Sequence, residues 1–347
     1  MNRNELHQRI TGSLANALIG DAMGSATESL TPEEILQQFG GKVTHFYPPP
    51  QATFASGRKA GQLTDDTTQM LNMLEAIIED SGNLKVETAA KWLLKWAEDE
   101  SLFQQFAGPS TRRAVQRLKA GVSPYETGKP STPMDMGASN GAAMKVAPAG
   151  LAHPGDLEAA VRDAATMCIP THNTDLAFAG AGAVAASVAA ALMPKVDVLS
   201  VVDAALFGAQ KGYEIARTES VTTRSPSMIE RIKLAVTIAV GGNDFDTTCA
   251  RLGDVIGCGL PIIEAVPAAI GIFVAARGNA RQSVTGAVNL GGDADTVAAI
   301  SGAISGAYSG IECVDQQLAA TLLEVNAIDL DLLAERILNL PTMHLTA

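Results

Sequence analysis

Two short segments of the chain combine paired carboxylates with hydroxyls where a helix is predicted to begin: TDDT at residues 64–67 and DADT at residues 293–296. Carboxylates this close repel each other unless positive charge lies between them, and Mg²⁺ takes carboxylate oxygens as ligands. Thr and Asp are also common N-caps, and acidic residues suit a first helical turn. The pattern leaves both interpretations open, because DFDT at residues 244–247 also matches it and is interpreted as an ordinary cap.

Three further segments carry residue types suited to acid–base chemistry or ligand binding. Glu28 closes the segment GDAMGSATE, and its carboxyl is either a general acid or base or an exposed group beyond a helix end. Ser139, Asn140 and Gly141 lead into a run of small residues, where free backbone N–H groups either bind phosphate or are simply capped. His172 precedes a predicted helix and either contacts a ligand or is hydrogen-bonded locally.

Helices must position these residues, because apolar side chains recur at spacings of three and four along most of the chain. This period runs through residues 6–18 and 70–77 and continues roughly over 86–98, 110–119, 155–168, 198–216, 226–240, 261–276, 280–288, 312–325 and 329–338. Strand signals are weak, with a suggestive alternation only at 42–47. Residues 176–193 carry no charge but are mainly Ala, Gly, Val and Ser, which favours a buried helix over a membrane span. The pattern predicts an all-α fold.

The composition argues against a disordered chain and against a nucleic-acid-binding protein. The 347 residues include 32 glycines, 18% charged residues and a formal net charge of −12. The low charge content argues against disorder, and an acidic chain is a poor partner for nucleic acid. Length alone suggests about two domains, but no repeat or long linker divides the chain, so we expect a single domain over 1–347. Four scattered cysteines and a polar start without an apolar signal core predict buried, reduced thiols and a cytoplasmic protein.

Five segments, taken in order, resemble the ADP-ribosylglycohydrolase family: GDAMGSATE at 20–28, LTDDT at 63–67, SNGAAM at 139–144, TH at 171–172 and GGDADTVAAISGAISGA at 291–307. Each is a weak signal alone, but the ordered set is specific and spans most of the chain. The resemblance implies a compact all-α domain of orthogonally packed helices with a two-metal cleft. It further implies two Mg²⁺ ions, with Mn²⁺ as an alternative, held by Thr64, Asp65, Asp66, Asp293, Asp295 and Thr296.

The same resemblance implies roles for the remaining candidates. Asp295 would bridge both ions and, together with Glu28, serve catalysis. Ser139, Asn140 and Gly141 match the segment that binds the ribose and diphosphate of the substrate. His172 matches a residue that lines the same cleft.

Two departures from the family pattern bear on specificity. Lys145 stands where the family commonly has Arg, which alters any planar, bidentate contact made there. The stretch PIIEAVP at 261–267 lacks the aromatic residues often seen in the branch that acts on ADP-ribosyl-arginine. The loop 41–62, with Arg58 and Lys59, either closes over the substrate or is a solvated loop.

The implied activity is Mg²⁺-dependent hydrolysis of the bond at the anomeric carbon of an ADP-ribosyl group, on a protein or a small molecule. Such cleavage passes through an oxocarbenium-like state, and two metal ions can orient the ribose hydroxyls and acidify a bound water. Three alternatives remain open: a hydrolase of a nucleoside or another small ribosylated metabolite, a non-catalytic ADP-ribose-binding or structural relative, and, more distantly, a two-metal phosphohydrolase. We expect no nucleic-acid or membrane partner, and the sequence leaves the oligomeric state open.

Overall fold

The computed structural model describes residues 2–51, 53–132 and 135–343, and over these ranges the chain is helical with no β-strand. The all-α prediction is therefore confirmed. The α-helices are α1 (Arg3–Gly24), α2 (Pro32–Phe39), α3 (Asp65–Glu79), α4 (Val86–Trp96), α5 (Glu100–Phe106), α6 (Pro109–Lys119), α7 (Pro124–Thr127), α8 (Ala147–Leu151), α9 (Leu157–Cys168), α10 (Asp175–Ala191), α11 (Val198–Glu219), α12 (Met228–Val240), α13 (Phe245–Ile256), α14 (Ile262–Ala275), α15 (Ala280–Val288), α16 (Ala294–Ser309), α17 (Gln316–Asn326) and α18 (Leu330–Leu338). Two 3₁₀ turns cover Asn140–Ala142 and Ile311–Cys313.

Helices α1 and α16 pack with their backbones in direct contact. A Cβ atom at Gly20 would lie 2.3 Å from the carbonyl oxygen of Ala298, and one at Gly24 would lie 2.5 Å from the Cα of Asp295. No side chain fits at either distance, so glycine is required for the helices to approach this closely. The contact sets the start of α16, with its DADT segment, against the end of α1.

Helix α10 accounts for the uncharged stretch of the sequence, and it is a core helix. It is buried from Leu176 to Ala191, and at Gly182 its backbone lies so close to α11 that a Cβ atom would come within 2.5 Å of the Gly208 carbonyl oxygen. Within the described part of the chain, no helix is both long and apolar enough to cross a membrane.

The main cluster of buried apolar residues takes members from α1 to α4 and from α8 to α18. A smaller cluster joins the end of α4 to α6. The assignment of one domain to 1–347 stays a prediction. Residues 42–47 form no strand within the described chain. Asp244 caps α13 by accepting the Thr247 N–H at 2.9 Å, as expected of DFDT. The four cysteines are free, but Cys313 is exposed and Cys258 partly so, so the prediction of buried thiols is wrong for these two.

Candidate active site and metal centre

The first acidic segment begins α3 and is anchored to α1. Thr64 is the N-cap, and its hydroxyl accepts the Asp66 N–H at 3.3 Å. The buried carboxylate of Asp21, on α1, accepts the N–H groups of Thr64 and Thr67 at 3.1 Å each, and also the Thr67 hydroxyl. The capping interpretation is therefore correct for Thr64. The sequence pattern gave no role to Asp21, although it is the one charged residue in the second half of α1, from Ile10 to Gly24.

The second acidic segment begins α16 without capping it. Asp293 occupies the N-cap position, but among the described residues its side chain makes no capping hydrogen bond. Its Oδ2 instead accepts the Asn140 side-chain N–H at 2.6 Å, and its backbone N–H donates to the Cys258 carbonyl at 2.7 Å. Asp295 Oδ1 accepts the N–H of Thr296 at 3.0 Å. The carboxylate of Asp293 thus bonds to the segment that contains Asn140 instead of capping its own helix.

Three carboxylates from two distant parts of the sequence meet at this point. Oxygen atoms of Glu28, Asp293 and Asp295 lie within 4.8 Å of one another, and all three side chains are buried. Glu28 is only 8% exposed, so the alternative of an exposed Glu beyond the helix end is wrong. Glu28 Oε2 and Asp66 Oδ1 are buried, and neither has a hydrogen-bond partner among the described residues. Such oxygens are costly to bury unless a ligand reaches them.

The pKa values in the cluster show that the surrounding protein does not compensate the negative charge of its carboxylates. Burial, followed by the charges of Asp293, Asp65 and Asp21, raises the pKa of Glu28 to about 8. Burial, followed by Asp21 and Asp293, raises the pKa of Asp65 to about 8 as well. The pKa values of Asp66 and Asp295 also lie well above their usual range, chiefly because both groups are buried.

The residues present fit a hard divalent cation. They offer several carboxylates, a nearby hydroxyl at Thr296, and two buried oxygens left without a partner among the described residues. Oxygen donors of this kind suit Mg²⁺ and Mn²⁺, and a divalent cation would relieve the mutual repulsion that raises the pKa values. Glu28 lies beside the predicted ligands Asp293 and Asp295, so its carboxyl would act next to a cation bound there.

The acidic cluster lies in a cleft of about 730 Å³, a volume typical of small-molecule sites. The predicted site residues that line it are Glu28, Asp65, Asp66, Ser139, Asn140, Gly141, His172, Asp293, Asp295 and Thr296. Thr64 is the exception, since it is fully buried at the start of α3. Phe54, from the loop 41–62, also lines the cleft, and its side chain is exposed. Closure of that loop stays a prediction.

The cleft is also lined by a histidine whose ring is neutral. His172 Nε2 lies 2.8 Å from Ser139 Oγ, and its Nδ1 lies 2.8 Å from Thr171 Oγ1. Burial, followed by the charges of Lys145 and Arg113, holds the pKa of His172 well below its usual range. Because each ring nitrogen is already within hydrogen-bond distance of a hydroxyl, His172 acts in this cleft as a hydrogen-bonding group and leaves no nitrogen free for a cation.

Fold and site together define an all-α protein with a buried carboxylate cluster at a substrate-sized cleft. The family model of the ADP-ribosylglycohydrolases matches residues 2–345. The chain belongs to the ADP-ribosylglycohydrolase family, and it is a hydrolase of glycosyl bonds.

Individual relatives cover nearly the whole chain. The uncharacterized protein YegU of Escherichia coli K12 is 31% identical over 93% of this chain and 94% of its own length. The human ADP-ribosylhydrolase ARH3 is 25% identical over 89% of this chain and 87% of its own length. A solved structure of an ADP-ribosylglycohydrolase-related protein complex superimposes with a TM-score of 0.66 at 24% identity, covering 99% of this chain and 100% of the other. This last likeness concerns the fold.

Proposed function

We propose that the protein is a Mg²⁺-dependent glycosidase that hydrolyses the bond at the anomeric carbon of an ADP-ribosyl group, carried by a protein or a small molecule. The observation that carries the proposal is the buried cluster of Glu28, Asp293 and Asp295, with oxygen atoms within 4.8 Å of one another, in the large cleft. Family membership supports the class of bond.

The metal-binding set in this proposal comprises Thr64, Asp65, Asp66, Asp293, Asp295 and Thr296, as the sequence predicts, for two ions, with Mn²⁺ as a substitute. When bound, such ions supply Lewis-acid orientation of the ribose hydroxyls and a more acidic water. The protein contributes the alignment of both acidic segments. Asp21 holds the start of α3 through its hydrogen bonds to Thr64 and Thr67, and the Asn140 amide holds Asp293.

Glu28 and Asp295 are the proposed catalytic residues. In the absence of cations, the pKa of Glu28 near 8 keeps this carboxyl protonated at neutral pH, and a nearby cation would lower that pKa. Glu28 can therefore serve either as the acid that protonates the leaving group or as the carboxylate that orients the attacking water. Acid–base assistance of this kind contributes about 10²- to 10⁴-fold in rate.

The substrate side of the cleft is assigned to Ser139, Asn140, Gly141 and His172. Asn140 already donates its side-chain N–H to Asp293, so its contribution to ligand binding would come from its remaining atoms. A relative from Pseudomonas putida is named an ADP-ribosylarginine hydrolase, and the human relative is named an ADP-ribosylhydrolase. These names support an ADP-ribosyl substrate; the leaving group, protein or small metabolite, is part of the proposal. We propose a cytoplasmic location without a nucleic-acid partner, and the net charge of −12 supports the absence of such a partner.

A panel of substrates tests the activity. Hydrolysis of ADP-ribosyl-arginine, ADP-ribosyl-serine, O-acetyl-ADP-ribose and several nucleosides is measured with Mg²⁺ and with chelator. We expect release of ADP-ribose that requires Mg²⁺. Turnover of free nucleosides alone would support the nucleoside alternative, and ADP-ribose binding without any turnover would support the non-catalytic one.

A matched pair of variants tests the metal assignment. Asp295→Ala is expected to abolish both activity and Mg²⁺ binding by calorimetry. Asp246→Ala is the control, because Asp246 is the third residue of DFDT as Asp295 is of DADT, yet it lies on the surface and pairs with Lys42. Unchanged Mg²⁺ affinity in Asp295→Ala would contradict the ligand assignment.

A further inference from the structure

Ser139 and His172 belong to a chain of four polar side chains that ends at a buried lysine. Lys145 Nζ donates to Thr171 Oγ1 at 2.8 Å. Thr171 Oγ1 lies 2.8 Å from His172 Nδ1, and His172 Nε2 lies 2.8 Å from Ser139 Oγ. Lys145, Thr171 and His172 are at most 2% exposed, while Ser139 lines the cleft. The chain connects an interior cation to the wall of the cleft.

The direction of each hydrogen bond follows from the lysine. Burial lowers the pKa of Lys145 to about 8, so at neutral pH it is still an ammonium group. An ammonium group can only donate, so Thr171 Oγ1 accepts from Lys145 and its own proton needs an acceptor. Within the described chain, His172 Nδ1 is the acceptor that this hydroxyl contacts. If Nδ1 carried a proton instead, Thr171 would accept twice and its own proton would be buried without a partner, which is unfavourable. The lone pair therefore lies on Nδ1.

The protonation of the ring then decides what Ser139 can do. Burial, together with the charges of Lys145 and Arg113, holds the pKa of His172 well below its usual range, so the ring is neutral and carries one N–H. With that proton on Nε2, His172 donates to Ser139 Oγ and leaves the serine proton free. In the opposite tautomer, Nε2 would accept a hydrogen bond from the Ser139 hydroxyl, and Ser139 could then only accept from a ligand.

We propose that Lys145 is a positioning residue: through Thr171 it holds His172 as the Nε2–H tautomer and so makes the Ser139 hydroxyl a hydrogen-bond donor into the cleft. The acceptor on the ligand is an oxygen of a ribose or of a phosphate. Only this last point rests on the proposed function. The role is distinct from a phosphate contact by Lys145 itself, because its ammonium group is buried and bonded to Thr171.

The chain offers conservative variants for a test. Lys145→Met removes the charge and keeps most of the unbranched stem, and the narrow cavity beside Lys145 is also lined by Met73, Leu93 and Met167, which suit a thioether. Lys145→Arg retains a buried donor. Lys233→Met is the matched control, since Lys233 is exposed and pairs only with Glu230 in the described structure.

The tautomer is measured directly by long-range ¹⁵N–¹H correlation spectra of the full chain labelled in histidine, with no ligand added. Wild type, Lys145→Arg and Lys233→Met are expected to show His172 as the Nε2–H form alone, and Lys145→Met to show the second tautomer as well. An Nδ1–H ring in wild type overturns the proposal, and so does an unchanged ring in Lys145→Met. The wild-type spectrum decides the tautomer even where a variant fails to fold.

Calorimetry with ADP-ribose tests the consequence for binding. Loss of one donated hydrogen bond is expected to weaken affinity about tenfold in Lys145→Met and in Ser139→Ala. The double variant should be no weaker than either single variant, since both changes remove the same interaction. Full additivity would overturn the proposed coupling. If wild type binds no ADP-ribose, the proposed function fails while the tautomer spectra still decide the role of Lys145.

Discussion

Replacing Glu28 by Gln should stabilise the ion-free protein while nearly abolishing its activity. Burial and three neighbouring carboxylates raise the pKa of Glu28 from 4.5 to about 8. Between these two values, the unfolded chain has released a proton that the folded site still holds, so the free energy of unfolding falls as pH rises. At pH 7 the free energy of unfolding is therefore about 3 kcal/mol lower than it would be if the pKa of Glu28 did not change on folding, at roughly 1.36 kcal/mol per pH unit. A glutamine has nearly the same shape and carries no such penalty.

The assay is thermal unfolding in chelator from pH 5 to pH 8, followed by activity in Mg²⁺. In chelator at pH 7, Glu28→Gln is expected to melt roughly 5 °C above wild type, and the difference should shrink toward pH 5. With Mg²⁺ the variant should still bind metal but lose about 10²- to 10⁴-fold in rate. Glu33→Gln, on the exposed surface of α2, is the control. A Glu28→Gln protein that is less stable than wild type in chelator would refute the argument that Glu28 is buried at a cost.

Two further substitutions test the elements that align the site. Asp21→Asn leaves the start of α3 with a poorer acceptor for two backbone N–H groups and a hydroxyl. We expect the affinity for Mg²⁺, measured by calorimetry, to fall at least tenfold. Unchanged affinity would show that Asp21 does not align the ligands. Gly20→Ala places a Cβ atom 2.3 Å from a carbonyl oxygen of α16 and should destabilise the protein by about 1–3 kcal/mol in chemical denaturation. The control is Gly253→Ala, whose Cβ atom meets only a leucine methyl at 3.4 Å. Equal stability of Gly20→Ala and Gly253→Ala would contradict the close packing of α1 and α16.

Some of the site was predictable because its chemistry is local. The type and spacing of residues 64–67 indicate a helix start, and Thr64 does cap α3. The same local pattern at residues 293–296 has a different outcome, since Asp293 makes no capping bond among the described residues and instead accepts from Asn140. Sequence alone cannot separate these two cases, because the partner of Asp293 is 153 residues away.

The sequence by itself determined the helical class of the fold, the small residues that let helices meet, and, through the ordered motifs, the family. It also supplied ten of the residues that line the cleft, including the carboxylates of the buried acidic cluster. The tertiary structure alone decided that Glu28 is buried beside Asp293 and Asp295, that Asp21 orients α3, and that Lys145 ends the hydrogen-bond chain leading to Ser139. The physical reason is the contact of α1 with α16: glycines permit it, but only the packed helices bring carboxylates so far apart in sequence within a few ångströms and away from water.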